Sequence, residues 1–399
     1  MEKVIFNTHD VVLLMTAYQC ILFAILLLTV KRDKHISNLF LAFFLLQQAV
    51  IPLDILVSFG AEFRHVALTW SPNVFYIFGF GYWLDGPFLL LYTRSLMYKD
   101  YRLSKADVVY FIPCFAYLIY QILFYYSLEI NEKFQLQEHY DLFLAPEYMN
   151  YVTLFRELFR VALAVSCLVE IKRYNEHIKT NFSNIDKIDL FWLKLLVIGF
   201  LVIRAWSVLV ILQIFLSVSF GIKTNFATMG LLGNYATFIF VSMLIFFSLR
   251  HSNAFEGLLL KDKFSSITGD DPKDKAAPEQ IESLKLFMKT EKPYLLPSLT
   301  LDKLAEKFKM HPRNLSNLIN RKFKCNFFEF INCYRIEEAK KMLSAENSTD
   351  LNMLDVMLDA GFNSKATYNT LFKKKVGMTP SEFRKQSLSK QLAEEVVLF

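Results

Sequence analysis

Seven stretches in the first 249 residues are each long enough to cross a bilayer: 11–30, 36–59, 72–94, 107–128, 150–171, 190–217 and 226–249. A helix rises 1.5 Å per residue, so a hydrocarbon layer of about 30 Å needs about 20 mostly apolar residues. A helix packed in a water-soluble protein keeps a polar stripe every three or four residues. Val11–Val30 and Ala227–Leu249 have none, so a soluble helical core is the weaker reading. The composition agrees. It is 54% apolar and 16% aromatic, with 40 Phe, which excludes a disordered chain, a collagen and a small disulfide scaffold.

The loops orient the spans. Segments 31–36, 94–106 and 172–187 hold 11 Lys and Arg, whereas the N-terminal tail and the loops near 60–71, 129–149 and 218–225 hold only Lys3, Arg64, Lys133 and Lys223. Basic loops stay cytoplasmic. The first stretch lacks a small-residue cleavage site and is followed at once by Lys31, Arg32 and Lys34, which predicts an uncleaved helix with its N-terminus outside. An odd number of spans then places residues 250–399 in the cytoplasm. Cys20, Cys114 and Cys167 fall within spans and Cys325 and Cys333 in the cytoplasmic part, a spacing that fits neither a disulfide framework nor a metal site.

Charge inside a bilayer is costly and marks candidate function. Asp54 lies in the outer third of the second span, Arg156, Glu157 and Arg160 toward the outer end of the fifth, and Asp85 and Arg204 near the midplane of the third and sixth. These positions predict a buried Asp85–Arg204 pair beneath an outward-opening cavity edged by Asp54, Arg156 and Arg160. The alternative is a structural ion pair that fixes helix register. Gly86-Pro87, just after Asp85, predicts a break in the backbone ladder where a bend could sit, static or bistable. The loop at 129–149, with Glu129, Glu132, Glu138, Asp141 and Glu147 against Lys133, reads as solvated surface or as a contact for a cation or basic peptide.

The chain divides into a membrane region at 1–249, a juxtamembrane segment and linker at 250–296, a helical domain at 297–387 and a tail at 388–399. Phe255, Leu258, Leu259 and Leu260 form an amphipathic run suited to the inner leaflet. Residues 269–278 read as flexible linker, and 279–290 as a short helix with Ile281, Leu284, Leu286 and Phe287 apolar. Residues 297–387 carry 16 Lys and Arg against 10 Asp and Glu, a net charge of +6 equal to that of the whole chain.

Within that domain, a helix with apolar positions 301, 304, 305 and 308 is followed by a three-residue turn and a second helix opened by Pro312, with Leu315, Leu318 and Ile319 inward. That is a helix-turn-helix. A longer helix from Phe327 to Leu343 follows, and then the arrangement recurs. Residues 351–360 form the first helix, Gly361 the left-handed turn residue, and Asn363 and Ser364 cap a second helix that runs through Lys375. The second helices open 52 residues apart.

Residues 299–386 resemble the whole DNA-binding domain of the AraC family of bacterial transcription regulators. The resemblance is carried by the run from Gly361-Phe362-Asn363 through Phe372-Lys373-Lys374-Lys375-Val376-Gly377-Met378-Thr379-Pro380 to Phe383-Arg384, and by Phe327 to Lys340. The membrane region is similar, less specifically, to the multi-span sensor of some members, through Gly86-Pro87, Tyr92 and Arg94-Ser95-Leu96. The resemblance implies an all-α fold, a seven-helix transmembrane bundle followed by a cytoplasmic double helix-turn-helix domain. It implies that Arg313, Ser316 and Asn317 of the first recognition helix and Lys365, Ala366 and Thr370 of the second face base edges, and that Lys322, Lys373, Lys374 and Arg384 face phosphates. Arg reads guanine and Asn adenine, whereas Ala366 and Thr370 offer methyl groups or one hydroxyl, so the first module is expected to specify more sharply. Two positions depart from the family. Lys324 stands where a Gly is usual, and Met357 replaces a small Ala at the crossing of the second module.

The implied protein is a multi-pass regulator of the bacterial inner membrane. Its partners are double-stranded promoter DNA, the lipid bilayer, an extracellular or membrane-soluble signal and RNA polymerase, and a homodimer is compatible with it. No catalytic triad, metal constellation or phosphate loop is present in the sequence, so neither catalysis nor a cofactor is expected. The rival readings are a membrane transporter with a regulatory tail, or a receptor whose cytoplasmic domain is a protein-binding module.

Overall fold

The computed structural model describes residues 7–29, 36–98, 101–138, 147–184, 190–220, 225–250, 278–345 and 351–397. Every extended element among them is helical, and one antiparallel bridge joins Phe182 and Thr300. Two compact units separate, Met1–Ile171 with Leu190–Phe264, and Lys172–Asp189 with Ser265–Phe399.

The first unit contains α1 (Thr8–Thr29), α2 (Ile36–Phe59), α3 (Ala61–Trp70), α4 (Gly81–Met97), α5 (Ile112–Gln121), α6 (Ile130–Glu138), most of α7 (Glu147–Asn181), α8 (Phe191–Phe220) and α9 (Phe226–Arg250). Among the described residues, five helical segments are long and apolar enough to cross a membrane: Thr8–Thr29, Ile36–Phe59, Lys105–Tyr126, Trp192–Val218 and Thr228–Phe246. They correspond to the first, second, fourth, sixth and seventh stretches of the sequence. The third and fifth differ. α4 has only 17 residues, and α7 runs for 35 with Arg156, Glu157 and Arg160 inside its apolar part.

The third stretch does not begin as a helix at residue 72. A short 3₁₀ turn at Pro72–Val74 is followed by turns up to Gly81, with Tyr76 left-handed. Tyrosines hold this unwound segment. The Tyr125 hydroxyl donates to the Pro72 carbonyl at 2.6 Å and the Tyr126 hydroxyl to the Phe75 carbonyl at 3.0 Å. Apolar composition could not reveal this, because the side chains that satisfy the freed carbonyls come from about 50 residues further on. Gly86-Pro87 likewise leaves α4 continuous. What Gly86 permits is proximity, since a Cβ there would lie 2.9 Å from Leu163 Cδ1 of α7. The segments read as outer loops also contain α3 and α6, and in α6 the Lys133 ammonium donates to Asn73 Oδ1 and the Tyr126 carbonyl.

The second unit holds α10 (Pro278–Thr290), α11 (Leu301–Lys307), α12 (Pro312–Leu318), α13 (Phe327–Leu343), α14 (Met353–Asp359), α15 (Lys365–Val376) and α16 (Pro380–Val397). α13 explains its architecture. Phe327, Phe330 and Ile331 on its first half join Leu304, Ala305, Leu315 and Leu318 in one core; Ile336, Ala339 and Leu343 on its second half join Val356, Met357, Phe362, Tyr368 and Phe372 in another. One helix is thus shared by two modules. α10 adds Leu284 and Met288 to the first core, so the compact unit reaches back beyond residue 297. The run at 255–260 and the linker at 269–277 lie outside the described residues, as does Asp141.

Candidate functional site

Each module repeats the same local construction. In the first, the Met310 amide donates to the Ala305 carbonyl at 2.9 Å and the Lys309 amide to Glu306 at 3.1 Å. In the second, Phe362 donates to Met357 at 3.0 Å and Gly361 to Leu358 at 2.9 Å. Every partner is displaced by 52 residues. Lys309 and Gly361 both occupy the left-handed region, with φ of 53° and 88°. His311 Nδ1 accepts from the Arg313 amide at the start of α12, and Ser364 Oγ from the Thr367 amide at the start of α15. Capping satisfies amides that a helix start leaves unpaired.

Helical spacing then sorts the side chains. Leu315 and Leu318 of α12 turn inward, leaving Arg313 exposed and Ser316 and Asn317 partly exposed. Tyr368 and Phe372 of α15 turn inward, leaving Lys365, Ala366, Thr370, Lys373 and Lys374 exposed. Lys322 is exposed on the turn that extends α12. Arg384 differs, being partly buried with its guanidinium donating to the Leu351 carbonyl at 2.8 Å. That contact braces α16 against the start of the second module. Lys324 adopts φ 51°, ψ 37°, the left-handed conformation that the usual Gly provides. Met357 is 3% exposed and packed into the second core.

The residue that ties the modules together was not legible as a site in the sequence. Arg335, 1% exposed, donates through Nε to the Tyr294 carbonyl at 2.7 Å and through Nη2 to the Leu296 carbonyl at 2.8 Å, and its guanidinium lies 5.7 Å from the Phe362 ring centre. It also donates to the Ser183 carbonyl and hydroxyl at 3.2 Å each, while Asn332 Nδ2 donates to the same carbonyl. The Ser183 hydroxyl donates to the Leu299 carbonyl at 2.6 Å. Burial pulls the Arg335 pKa down to about 10, which leaves it charged at neutral pH. Nearby, Glu338 is bound by Lys292, Lys341 and Tyr294, and the two ammonium groups hold its carboxyl below the usual range despite partial burial.

The membrane unit contains the charge cluster, with different pairing from that expected. Asp85 pairs with Arg160, not Arg204: Arg160 Nε donates to Asp85 Oδ1 at 3.0 Å and Nη2 to Oδ2, while Gln48 Nε2 donates to Oδ2 at 3.2 Å. Matching depth on two spans does not fix which way each helix face turns, and at this depth α7, brought close by Gly86, presents Arg160 to Asp85. Glu157, one turn away on α7, receives Arg160 Nη1 at 2.8 Å and Arg156 Nε at 3.1 Å. Arg156 lies 4.1 Å from the centre of the Tyr82 ring, and Tyr82 hydrogen-bonds Asp54. Arg204 is 6% exposed. Its nearest carboxylate oxygen, on Glu157, is 3.9 Å away, and its buried Nε has no partner. A cavity of about 190 Å³ opens beside Arg156, Glu157, Arg160 and Arg204. Among the described residues no group of His, Cys, Asp and Glu is arranged to hold a metal ion.

A family model described as a helix-turn-helix domain matches residues 304–386. The melibiose operon regulatory protein of Escherichia coli K12 is 32% identical over 90 residues, 23% of this chain and 29% of that protein. The probable transcription factor PqrA of Proteus vulgaris is 31% identical over 86 residues, 22% of this chain and 68% of that protein. A solved structure, the C-terminal domain of AraT, a response regulator from Geobacillus stearothermophilus, is 24% identical with a TM-score of 0.24, covering 28% of this chain and 88% of that one. The chain spans less than a third of the melibiose regulator, and the family model lies in the chain's C-terminal part. With its repeated modules bridged by α13, the chain belongs, through that part, to the AraC-type helix-turn-helix transcriptional regulators.

Proposed function

We propose that this protein is a membrane-embedded transcription regulator with seven spans, its N-terminus outside and its helix-turn-helix domain in the cytoplasm. It senses a signal through the membrane or extracellular region and binds promoter DNA sequence-specifically. The observation that carries the reading is the pair of helix-turn-helix modules on the shared α13, each with a capped second helix whose polar face is exposed. Arg313, Ser316 and Asn317 read bases from the first module, Lys365, Ala366 and Thr370 from the second, and Lys322, Lys373 and Lys374 hold phosphates. Arg384 holds a phosphate through the guanidinium donors that the Leu351 carbonyl does not take.

The signal site in this reading is the cluster of Asp54, Asp85, Arg156, Arg160 and Arg204, joined by Glu157. α7 carries Glu157 and Arg160 near one end, and two residues beyond the other end Ser183 is held by Arg335 and Asn332. In this reading the signal reaches the helix-turn-helix domain along the chain through α7. The signal must bind one position of α7 better than the other to change the population of DNA-competent protein.

The test is a mobility-shift assay with the full chain in lipid nanodiscs against fragments of its own genome. Specific binding is expected to weaken steeply with salt, by roughly a tenfold or greater loss between 50 and 200 mM. Arg313→Ala should relax the sequence preference at one position, whereas Lys373→Ala should weaken all sequences alike. Folded protein with no sequence-specific, salt-sensitive binding would favour the protein-binding reading, and substrate uptake into vesicles would favour the transporter.

A further inference from the structure

The cavity beside Arg204 has a chemical bias that the presence of a charge cluster alone does not specify. Arg160 is fully engaged by two carboxylates, and Glu157 is shared with Arg156. The carboxylates are therefore already occupied by guanidinium groups. The buried donor left over in the cluster is Arg204, with an unpartnered Nε and its nearest carboxylate oxygen 3.9 Å away. A buried donor without a partner favours a ligand that brings an acceptor, and a guanidinium favours a carboxylate, which matches its fork with two parallel hydrogen bonds. A cation would meet the same side chain as a repulsive neighbour.

The rest of the wall restricts the remainder of the ligand. Leu13, Ile203, Val210 and Ile211 give it apolar surface, interrupted by hydroxyls such as that of Ser207 and by the Asn234 amide. An apolar cavity of about 150 Å³ takes one benzene ring. At about 190 Å³ this one has room for a body slightly larger than that ring.

We propose that the cavity binds a small amphipathic monocarboxylate, its acid group on Arg204 and an apolar tail of about six carbons between α1, α8 and α9. The proposal rests on the reading of this cluster as the signal site and names the class of signal. Trp206 lines the same cavity, its indole donating to the Met229 carbonyl at 2.9 Å, and so supplies an optical probe.

The experiment uses the full chain in nanodiscs of zwitterionic lipid, with tryptophan fluorescence read during titration with hexanoate, phenylacetate, 1-hexanol and hexylamine. A saturable change is expected with the two acids and not with the alcohol or amine, and it should vanish in Trp206→Phe. Arg204→Gln should weaken the acids at least tenfold, with Arg204→Lys retaining part of the affinity. Equal binding of 1-hexanol, preferred binding of hexylamine, or no binding of either acid overturns the proposal. If Arg204→Gln does not fold, the acid-over-alcohol preference of the unaltered protein still decides. Phosphatidylglycerol in a second set of nanodiscs separates a lipid headgroup from a free acid. If that lipid alone produces the change and abolishes the response to hexanoate, the small-acid proposal falls. Promoter affinity measured on the same nanodiscs separates the two readings: acid binding with unchanged DNA affinity keeps the ligand class and removes the sensing role, while intact DNA binding without an acid site does the reverse.

Discussion

The two helix-turn-helix modules share the hydrogen bonds and the left-handed residue of their turns and have different residues at their tight places. At the left-handed turn between helices the first module has Lys309 and the second Gly361; after the recognition helix the first has Lys324 and the second Gly377. At the helix crossing the first has Ala305 and the second Met357, both fully buried. The difference shows that a left-handed turn position does not by itself demand glycine. A left-handed non-glycine residue costs about 1–2 kcal/mol, which a module can tolerate where the side chain has space. Gly361 has none. A Cβ there would approach the Tyr294 carbonyl oxygen to 2.6 Å and Leu295 Cα to 3.0 Å, whereas a Cβ on Gly377 would meet nothing within 4 Å.

The largest effect should come from cutting the link between the modules. Arg335→Met is expected to destabilise the helix-turn-helix domain by about 3 kcal/mol, because it leaves the Tyr294 carbonyl without its donor, strips the Leu296 carbonyl of one of its two donors and removes a buried guanidinium that also holds Ser183. Hydrogen exchange of the full chain should show protection lost around 294–300 and 182–184 together. Loss confined to one module would mean that the two are not coupled through this residue.

Gly361→Ala comes next, at about 2.5 kcal/mol from the left-handed strain and the forced displacement of the Tyr294–Leu295 backbone. Gly377→Ala, which shares the conformation without the crowding, should cost only about 1 kcal/mol. Equal losses in thermal unfolding would remove the distinction between the two glycines. Met357→Ala tests the crossing. A cost of about 2 kcal/mol is expected if the second module keeps its helix spacing and a cavity forms. A cost under about 0.5 kcal/mol would mean that its helices close to the spacing that Ala305 allows in the first. The smallest effect is a gain, with Lys324→Gly expected to stabilise by about 0.5 kcal/mol, relieved strain outweighing the added freedom of the unfolded chain.

Much of the C-terminal domain was legible because its signals are local. Pro312 at a helix start, Ser364 as a cap, Gly361 in a turn and the apolar spacing of α13 depend on residues within a turn or two of each other, and the bounds Phe327–Leu343 follow directly from them. The exposed face of α15 was legible for the same reason, since once Tyr368 and Phe372 turn inward, Lys365, Thr370 and Lys373 must turn outward. Arg335 was not. It occupies one place on an amphipathic helix, and its acceptors come from Ser183, Tyr294 and Leu296, two of them 39 or more residues away and one 152 away.

The membrane unit divides along the same line. The sequence by itself determined that long apolar helices form, because burying some 20 apolar residues outweighs other local preferences, and it located Asp54, Asp85, Arg156, Arg160 and Arg204 as charges in costly surroundings. It also determined that a double helix-turn-helix carries the chain's net positive charge. Only the tertiary structure decided that Asp85 meets Arg160, that Glu157 is shared, that Arg204 is left with an unpartnered donor beside a cavity, and that residues 72–80 unwind under two tyrosines. Helix formation is governed by neighbours in sequence, whereas which charge is satisfied depends on how the helices rotate and approach one another. Gly86, by admitting α7 so close to α4, contributes to that second choice.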